Sequence, residues 1–284
     1  MLIAQITDLH LGFEGNDPTE LNRRRLDLTL EHLRTIRPQP DLLLLTGDLA
    51  HREDDEDAYR QLKSALRDYQ IPSHFGMGNH DSRDPFLRFF PEVPQASGFV
   101  QYAIEELPVR VLMLDTLEIG RHGGGFCDQR ASWLQERLSE KPDRPTLLAL
   151  HHPPLATGLS WMTQNPKADW VERLRGIVAA HGNIVGMITG HLHRPVATLW
   201  AGKPLIVCPS TSPQVALDLG TIDPDRPDGR PMIVAAPPGF ALHFWNGKEL
   251  ITHFGFVQED PVLARYDAAF QPVVRQIATE YTGR

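Results

Sequence analysis

Only two cysteines, Cys127 and Cys208, occur in the chain, far apart and outside any Cys-x-x-Cys pattern. They read as two reduced thiols, which excludes a disulfide framework. Basic runs are also missing. With 28 Lys and Arg against 36 Asp and Glu, the formal net charge is −8, which argues against binding a nucleic-acid backbone as the main function. A phosphate-bearing substrate is not excluded, because a bound metal ion would invert the local charge. No apolar run is long enough to span a bilayer. The apolar start, Met1 to Ile6, has no basic segment before it and leads directly into Asp8 and His10. It reads as a core strand and not as a signal peptide, so a cytoplasmic location without a membrane partner is the default expectation. Internal repeats and low-complexity tracts are absent as well.

What is present suits a large α/β core. Of the 284 residues, 41% are hydrophobic and 23% charged, enough apolar material for one sizeable unit. Strands are expected at Leu2 to Ile6, Asp41 to Thr46 and Ser73 to Met77. Between them, Glu20 to Ile36 and Asp57 to Tyr69 carry apolar residues at helical spacing. This alternation implies parallel pairing with helical crossovers. Phe99 to Ile104 and Val109 to Leu114 read as a hairpin, Trp133 to Leu138 as a short helix, and Leu147 to Leu150 as a strand. Trp170 to Ala180 reads as a helix and Ile184 to Thr189 as a strand. Beyond His193 the pattern changes to short strands with Gly turns, at Val196 to Trp200, Leu205 to Val207, Met232 to Ala236, Phe240 to Trp245 and Glu249 to His253. Three segments follow: a core over 1–195, a β-rich continuation over 196–257, and a tail over 258–284. The tail reads either as a helix between Pro261 and Tyr281 or as a loosely attached arm.

Chemistry enters through short polar motifs, each just after a strand: Asp8-x-His10, Gly47-Asp48, Gly78-Asn79-His80-Asp81, His151-His152 and Gly190-His191-x-His193. Parallel strands bring such loops to one edge of a sheet, where α/β proteins place their sites. One such residue alone is an ordinary satisfied polar group. Together they supply the donors of a two-metal site. Imidazole and carboxylate in combination favour Zn, Fe, Mn or Co over Ca or Mg. Asp48 can bridge two ions, with Asp8, His10 and His193 completing one set and Asn79, His151 and His191 the other. Ions held ~3.5–4 Å apart can share a hydroxide made from water whose pKa falls from ~15.7 towards ~7. His80 is placed to protonate a leaving group or to stabilise phosphoryl charge, and Asp81 to orient His80. His152 is either a supporting residue or simply the neighbour of His151.

Asn16, Asn22 and Arg23 are candidate substrate contacts because they follow the first ligand loop. Arg23, Arg24 and Arg25 together read as a solvated helix face. Gly123-Gly124-Gly125 reads as a plain loop, and Asp54 to Asp57 as an acidic helix start. His122, Trp161 and His181 carry no signal.

Asp8-Leu9-His10, Gly47-Asp48, Gly78-Asn79-His80-Asp81, His151 and Gly190-His191-Leu192-His193, in this order and spacing, resemble the calcineurin-like metallophosphoesterase superfamily. Within it, Ile6-Thr7-Asp8-Leu9-His10 and His151-His152-Pro153-Pro154 look like the bacterial class III cyclic nucleotide phosphodiesterases and glycerophosphodiesterases. The resemblance implies a four-layer α/β/β/α sandwich with a C-terminal β extension, a dinuclear transition-metal centre and hydrolysis of a small phosphodiester by a metal-bridging hydroxide. It also implies that 1–195 is the catalytic core and that the extension over 196–257 caps the site or mediates oligomerisation; its apolar strands can pair across a two-fold axis, so a homo-oligomer is expected. The rival readings are a phosphomonoesterase or phosphoprotein phosphatase, and a metal-bound scaffold without turnover.

Overall fold

The computed structural model describes residues 1–15, 17 and 19–282. The chain opens with strand β1 (Leu2–Ile6), helix α1 (Leu21–Thr35), β2 (Leu42–Thr46), α2 (Glu56–Leu66), β3 (Ser73–Gly76) and α3 (Arg83–Phe89). It continues with β4 (Tyr102–Ile104), β5 (Arg110–Met113), α4 (Asp128–Glu140), β6 (Thr146–Ala149), α5 (Asp169–Ala180) and β7 (Ile184–Thr189). The last part holds β8 (Val196–Trp200), β9 (Lys203–Val207), β10 (Gln214–Val215), β11 (Ile233–Val234), β12 (Gly239–Trp245), β13 (Leu250–Phe256) and α6 (Gln271–Thr282).

Two sheets carry the fold. The first has the order β13-β12-β1-β2-β3 and the second β4-β5-β6-β7-β9-β8. β1, β2 and β3 are mutually parallel, as are β5, β6, β7 and β9. The late strands do not form a separate unit. β12 and β13 extend the first sheet beside β1, and β8 and β9 extend the second beside β7. Only the short β10–β11 ribbon stands apart.

The pleat assigns the layers. Val111, Met113, Leu147, Ala149 and Ile188 of the second sheet share a core with β1, β2 and helices α1 to α3. The alternate residues Leu112, Leu114, Leu148, Leu150 and Met187 pack with Leu134 and Leu138 of α4 and Leu174 and Val178 of α5. Successive side chains of a strand point to opposite faces, so the second sheet is apolar on both sides.

Two helices differ from the sequence expectation. α3 was not foreseen because it has only seven residues and carries Pro85 in its first turn, a place that tolerates proline. α4 begins at Asp128, five residues before the expected Trp133, because its polar first turn adds nothing to the apolar period. The tail is helical from Gln271, and residues 258–281 are exposed throughout. Cys127 and Cys208 are both free. Among the described residues no helix is long and apolar enough to cross a membrane.

Candidate metal centre

The loops after β1, β2, β3, β6 and β7 meet at one rim of the two sheets. Main-chain bonds weld the first pair: Asp8 N donates to Gly47 O (3.0 Å), His10 N to Asp48 O (3.0 Å) and Leu11 N to Leu49 O (3.1 Å). Gly190 N donates to His151 O (3.0 Å), joining the loops after β7 and β6. The crossing between the sheets is tight. At Gly47, whose φ is +103°, a Cβ would stand 2.6 Å from His151 Nδ1. At Gly78 it would stand 2.2 Å from Asp48 Oδ1. Only glycine lets these chains approach so closely.

Seven non-glycine residues have positive φ among the described residues, and five of them are Asp8 (53°), His10 (46°), Asp48 (49°), His191 (72°) and His193 (52°). Left-handed backbone costs an L-residue about 1–2 kcal/mol. Such strain survives only where its surroundings enforce it, and it concentrates at functional sites. Here it falls on five of the seven residues expected to bind metal.

Hydrogen bonds fix which nitrogen of each imidazole is free, because a carbonyl oxygen can only accept. His151 Nδ1 donates to Thr46 O (2.8 Å), His193 Nδ1 to Pro213 O (2.9 Å) and His80 Nδ1 to His51 O (2.8 Å). Each therefore turns its other nitrogen, Nε2, away from the backbone. His151 Nε2 lies 3.2 Å from Asp48 Oδ2 and 3.8 Å from Asp8 Oδ1. His193 Nε2 lies 3.4 Å from Asp8 Oδ1 and 3.1 Å from His10 Nε2, which is 3.6 Å from Asp48 Oδ2. The carboxylates also accept main-chain N–H groups, Asp8 from His191 (3.1 and 3.0 Å) and Asp48 from His80 (2.8 Å).

The cluster calls for positive charge. Burial opposes ionisation of Asp48, but His151, His10 and His80 beside it hold its carboxyl well below the usual range. Asp8 is lowered too, since His193 and His151 outweigh the effect of burial. Burial would keep His151 neutral, yet Asp48 and Asp8 lift it to about 9. A proton there does part of the work that a cation would do. His10 and His191 are pushed down to about 3, mainly by burial, and so offer neutral lone pairs. Three groups can each gather around an ion: Asp8, His10, Asp48 and His193; His151, His152 and His191; and His10, His51 and His80. The buried His151 Nε2 and His10 Nδ1 have no hydrogen-bond partner. His151 Nε2 faces Asp48 and Asp8, and an unpartnered imidazole nitrogen beside carboxylates fits a divalent transition metal.

Asn79 belongs to the same rim. Its Oδ1 accepts from His152 Nε2 (3.2 Å), while His152 Nδ1 meets Thr116 Oγ1 (2.8 Å). His152 thus spends its N–H on orienting the Asn79 amide. Asp81 departs from expectation. It makes no hydrogen bond to His80. Its carboxylate accepts from Leu49 N (3.0 Å), Ala50 N (3.1 Å), Gly78 N (2.8 Å) and Tyr59 Oη (3.3 Å). Burial, then the charge of Asp48, raise it to about 7. Asp81 therefore ties the loop after β2 to the loop after β3, and the orienting partner of His80 is the His51 carbonyl.

A cavity of about 510 Å³ opens over this rim. Asn22 lines it, donating Nδ2 to His10 O (2.8 Å) and leaving Oδ1 buried without a partner. Arg23 does not reach it, because its guanidinium is held by Asp27 (3.0 Å) and Gln61 O (3.2 Å). Asn16 lies outside the described residues. The cavity also contains His51, His122 and Trp161, which the sequence did not single out, and Gly123 of the expected plain loop. His51 had one local signal, its position on the same loop as Asp48. His122 and Trp161 had none, since distant loops deliver them.

Arg25 corrects the reading of a solvated arginine face. It is buried and donates to Thr211 O (2.7 Å), Ser212 O (3.1 Å) and Ala236 O (2.7 Å). The loop it clamps also supplies the Pro213 carbonyl that holds His193. Arg25→Met should weaken metal binding on the His193 side by about 10–100-fold, the usual cost of losing a ligand's outer support. Competition with a chromophoric chelator measures this, and unchanged affinity would mean the clamp is irrelevant to the centre.

An α/β sandwich that gathers carboxylate and imidazole donors at strand ends falls in the class of metal-binding α/β proteins. The sequence profile described as calcineurin-like phosphoesterase matches residues 1–195, and the chain belongs to that family. It is 33% identical over 282 residues to a probable cyclic nucleotide phosphodiesterase of Rhodopseudomonas palustris, covering 94% of this chain and 97% of that protein. It is 29% identical over 263 residues to a probable glycerophosphodiester phosphodiesterase of Arcobacter nitrofigilis, covering 90% and 93%. The structure of a dimetal phosphatase from Danio rerio is similar, with a TM-score of 0.62 over 92% of this chain and 98% of that one. At 16% identity this is a likeness of fold.

Proposed function

We propose that this chain hydrolyses small phosphodiesters, a 3′,5′-cyclic nucleotide or a glycerophosphodiester, with two transition-metal ions bound at the rim. Asp8, His10, Asp48 and His193 hold one ion; Asp48, Asn79, His151 and His191 hold the other. Zn, Fe, Mn or Co suits this donor set. When bound, such a pair supplies a nucleophile from water at neutral pH and neutralises phosphoryl charge. The observation that carries the reading is the convergence of imidazole Nε2 atoms on two buried carboxylates, on backbone strained to bring them together.

The remaining roles follow from the cavity. His80 lines it, and its Nδ1 is engaged by the His51 carbonyl. Nε2 is then the atom left to hold a proton for a leaving oxygen. Asn22 lines the cavity with its Oδ1 buried and unpartnered, and a turn of the side chain would offer that oxygen to a substrate hydroxyl. Among the described residues, no Lys or Arg lines the cavity. A diester with one negative charge suits such a wall better than a monoester with two, which separates this reading from a phosphomonoesterase. The volume falls within the ~300–1,000 Å³ of small-molecule sites. Phe13 and Trp161 stand on the wall with 56% and 39% of their surface exposed. Aromatic faces of this kind stack on bases for ~1–3 kcal/mol each, which favours a nucleotide over a glycerol ester.

The test is steady-state hydrolysis by chelated and then reconstituted protein, with Mn, Zn, Co or Fe. Bis(p-nitrophenyl) phosphate should turn over faster than p-nitrophenyl phosphate, and 3′,5′-cyclic AMP should exceed glycerophosphoethanolamine in kcat/KM. Preference for the monoester would overturn the diesterase reading. Absence of turnover with two ions bound would leave a scaffold.

A further inference from the structure

We infer that the cavity holds a third, inhibitory transition-metal site, built on His51 and His80 beside His10. It deepens the reading above, since it acts on the residue that reading gives to the leaving group.

The geometry is that of imidazoles around one ion. Ligand nitrogens of His10, His51 and His80 lie within 4.8 Å of one another. With Zn–N near ~2.1 Å and tetrahedral angles, ring centroids on a shared ion stand roughly 5 Å apart. The observed spacings are 4.6 Å for His10–His80, 5.7 Å for His10–His51 and 5.8 Å for His51–His80. His151 and His191, both assigned to the second catalytic ion, stand 5.3 Å apart. The donors are also free. His51 Nδ1 is buried and has no hydrogen-bond partner. His80 has only its Nδ1 engaged. Both rings border the cavity and are partly exposed, and a small turn of the His51 ring would open its Nδ1 to an ion there.

This site is weaker than the two catalytic ones. His10 already turns Nε2 towards Asp48 and His193. His51 and His80 are therefore the two full donors, with no carboxylate between them. Soft or borderline ions that favour imidazole, Zn and Cu above all, would occupy it, and only in excess over the first two. Occupancy ties up His80 Nε2, the nitrogen that protonates the leaving oxygen. Hydrolysis should then fall as excess zinc rises, and more steeply for an alkoxide leaving group than for a nitrophenolate.

The experiment counts zinc in the full-length chain by equilibrium dialysis and elemental analysis, alongside rates over the same range of free zinc. Three zinc ions per chain are expected at high zinc in the native protein, and two in His51→Phe and in His51→Gln. Native activity towards a cyclic nucleotide should rise and then fall on the order of 10²-fold, the loss expected when general-acid help is removed. In both variants it should rise to a plateau. A native count that stays at two, or a third ion kept by both variants, would overturn the site. The count does not depend on turnover. Three ions without hydrolysis of any ester would sink the phosphodiesterase reading and leave this one standing.

Discussion

Asp48→Ala should bring hydrolysis of bis(p-nitrophenyl) phosphate to background and reduce the metal content from two ions to at most one. The carboxylate stands at the meeting point of both donor sets. Its Oδ2 is 3.2 Å from His151 Nε2 and 3.6 Å from His10 Nε2, while its Oδ1 accepts the His80 N–H at 2.8 Å. Loss of an outer supporting contact costs ~10–100-fold in affinity or activity, and loss of this group should far exceed that. The fold should survive, because β2 is held by its main-chain ladder to β1 and β3. Elemental analysis and circular dichroism on the same sample give the answer. Two ions and native turnover in the variant would remove Asp48 from the centre.

His80→Ala should separate chemistry from metal binding. Both ions should stay, since the catalytic donor sets do not include His80. The rate should fall by ~10²–10⁴-fold, the range of general acid–base catalysis, but only where the leaving oxygen is strongly basic. A nitrophenolate leaves without a proton, so bis(p-nitrophenyl) phosphate should lose little. A sugar alkoxide must be protonated, so 3′,5′-cyclic AMP should lose most. Plotting rate against leaving-group basicity for native and variant enzyme would show a steeper line for the variant. Parallel lines would mean that His80 acts on phosphoryl charge and not on the leaving oxygen.

The residues of the centre that are legible in sequence are those fixed by local rules. Asp8, Asp48, Asn79, His151 and His191 each sit within a few residues of a strand end, and the strands announce themselves as apolar runs. Family resemblance then carried the fold class and the reaction class. Long-range partners were not legible. His152 is sequence neighbour to His151, yet only the fold shows that it serves Asn79 through Nε2. Asp81 follows His80 directly, but its bonds run to the other loop and to Tyr59 of α2. Arg25 looks like one of three surface arginines until the loop after β9 is folded against α1. Periodicity also says little about α3, whose seven residues are too few to show it. Of the β10–β11 ribbon, Ile233–Val234 falls inside the strand expected at Met232 to Ala236, whereas Gln214–Val215 is two residues long, below what alternation can reveal.

Among the described residues, no Lys or Arg stands on the cavity wall. Beneath it, Asp8 and Asp48 are ionised, and the protons that they favour on His151 and His193 offset part of that charge. Such a wall offers a phosphate little attraction, and ions bound at the rim would supply the positive charge that draws an ester in. Substrate affinity should therefore be linked to metal loading, so that a chain without its ions neither cleaves the ester nor holds it well.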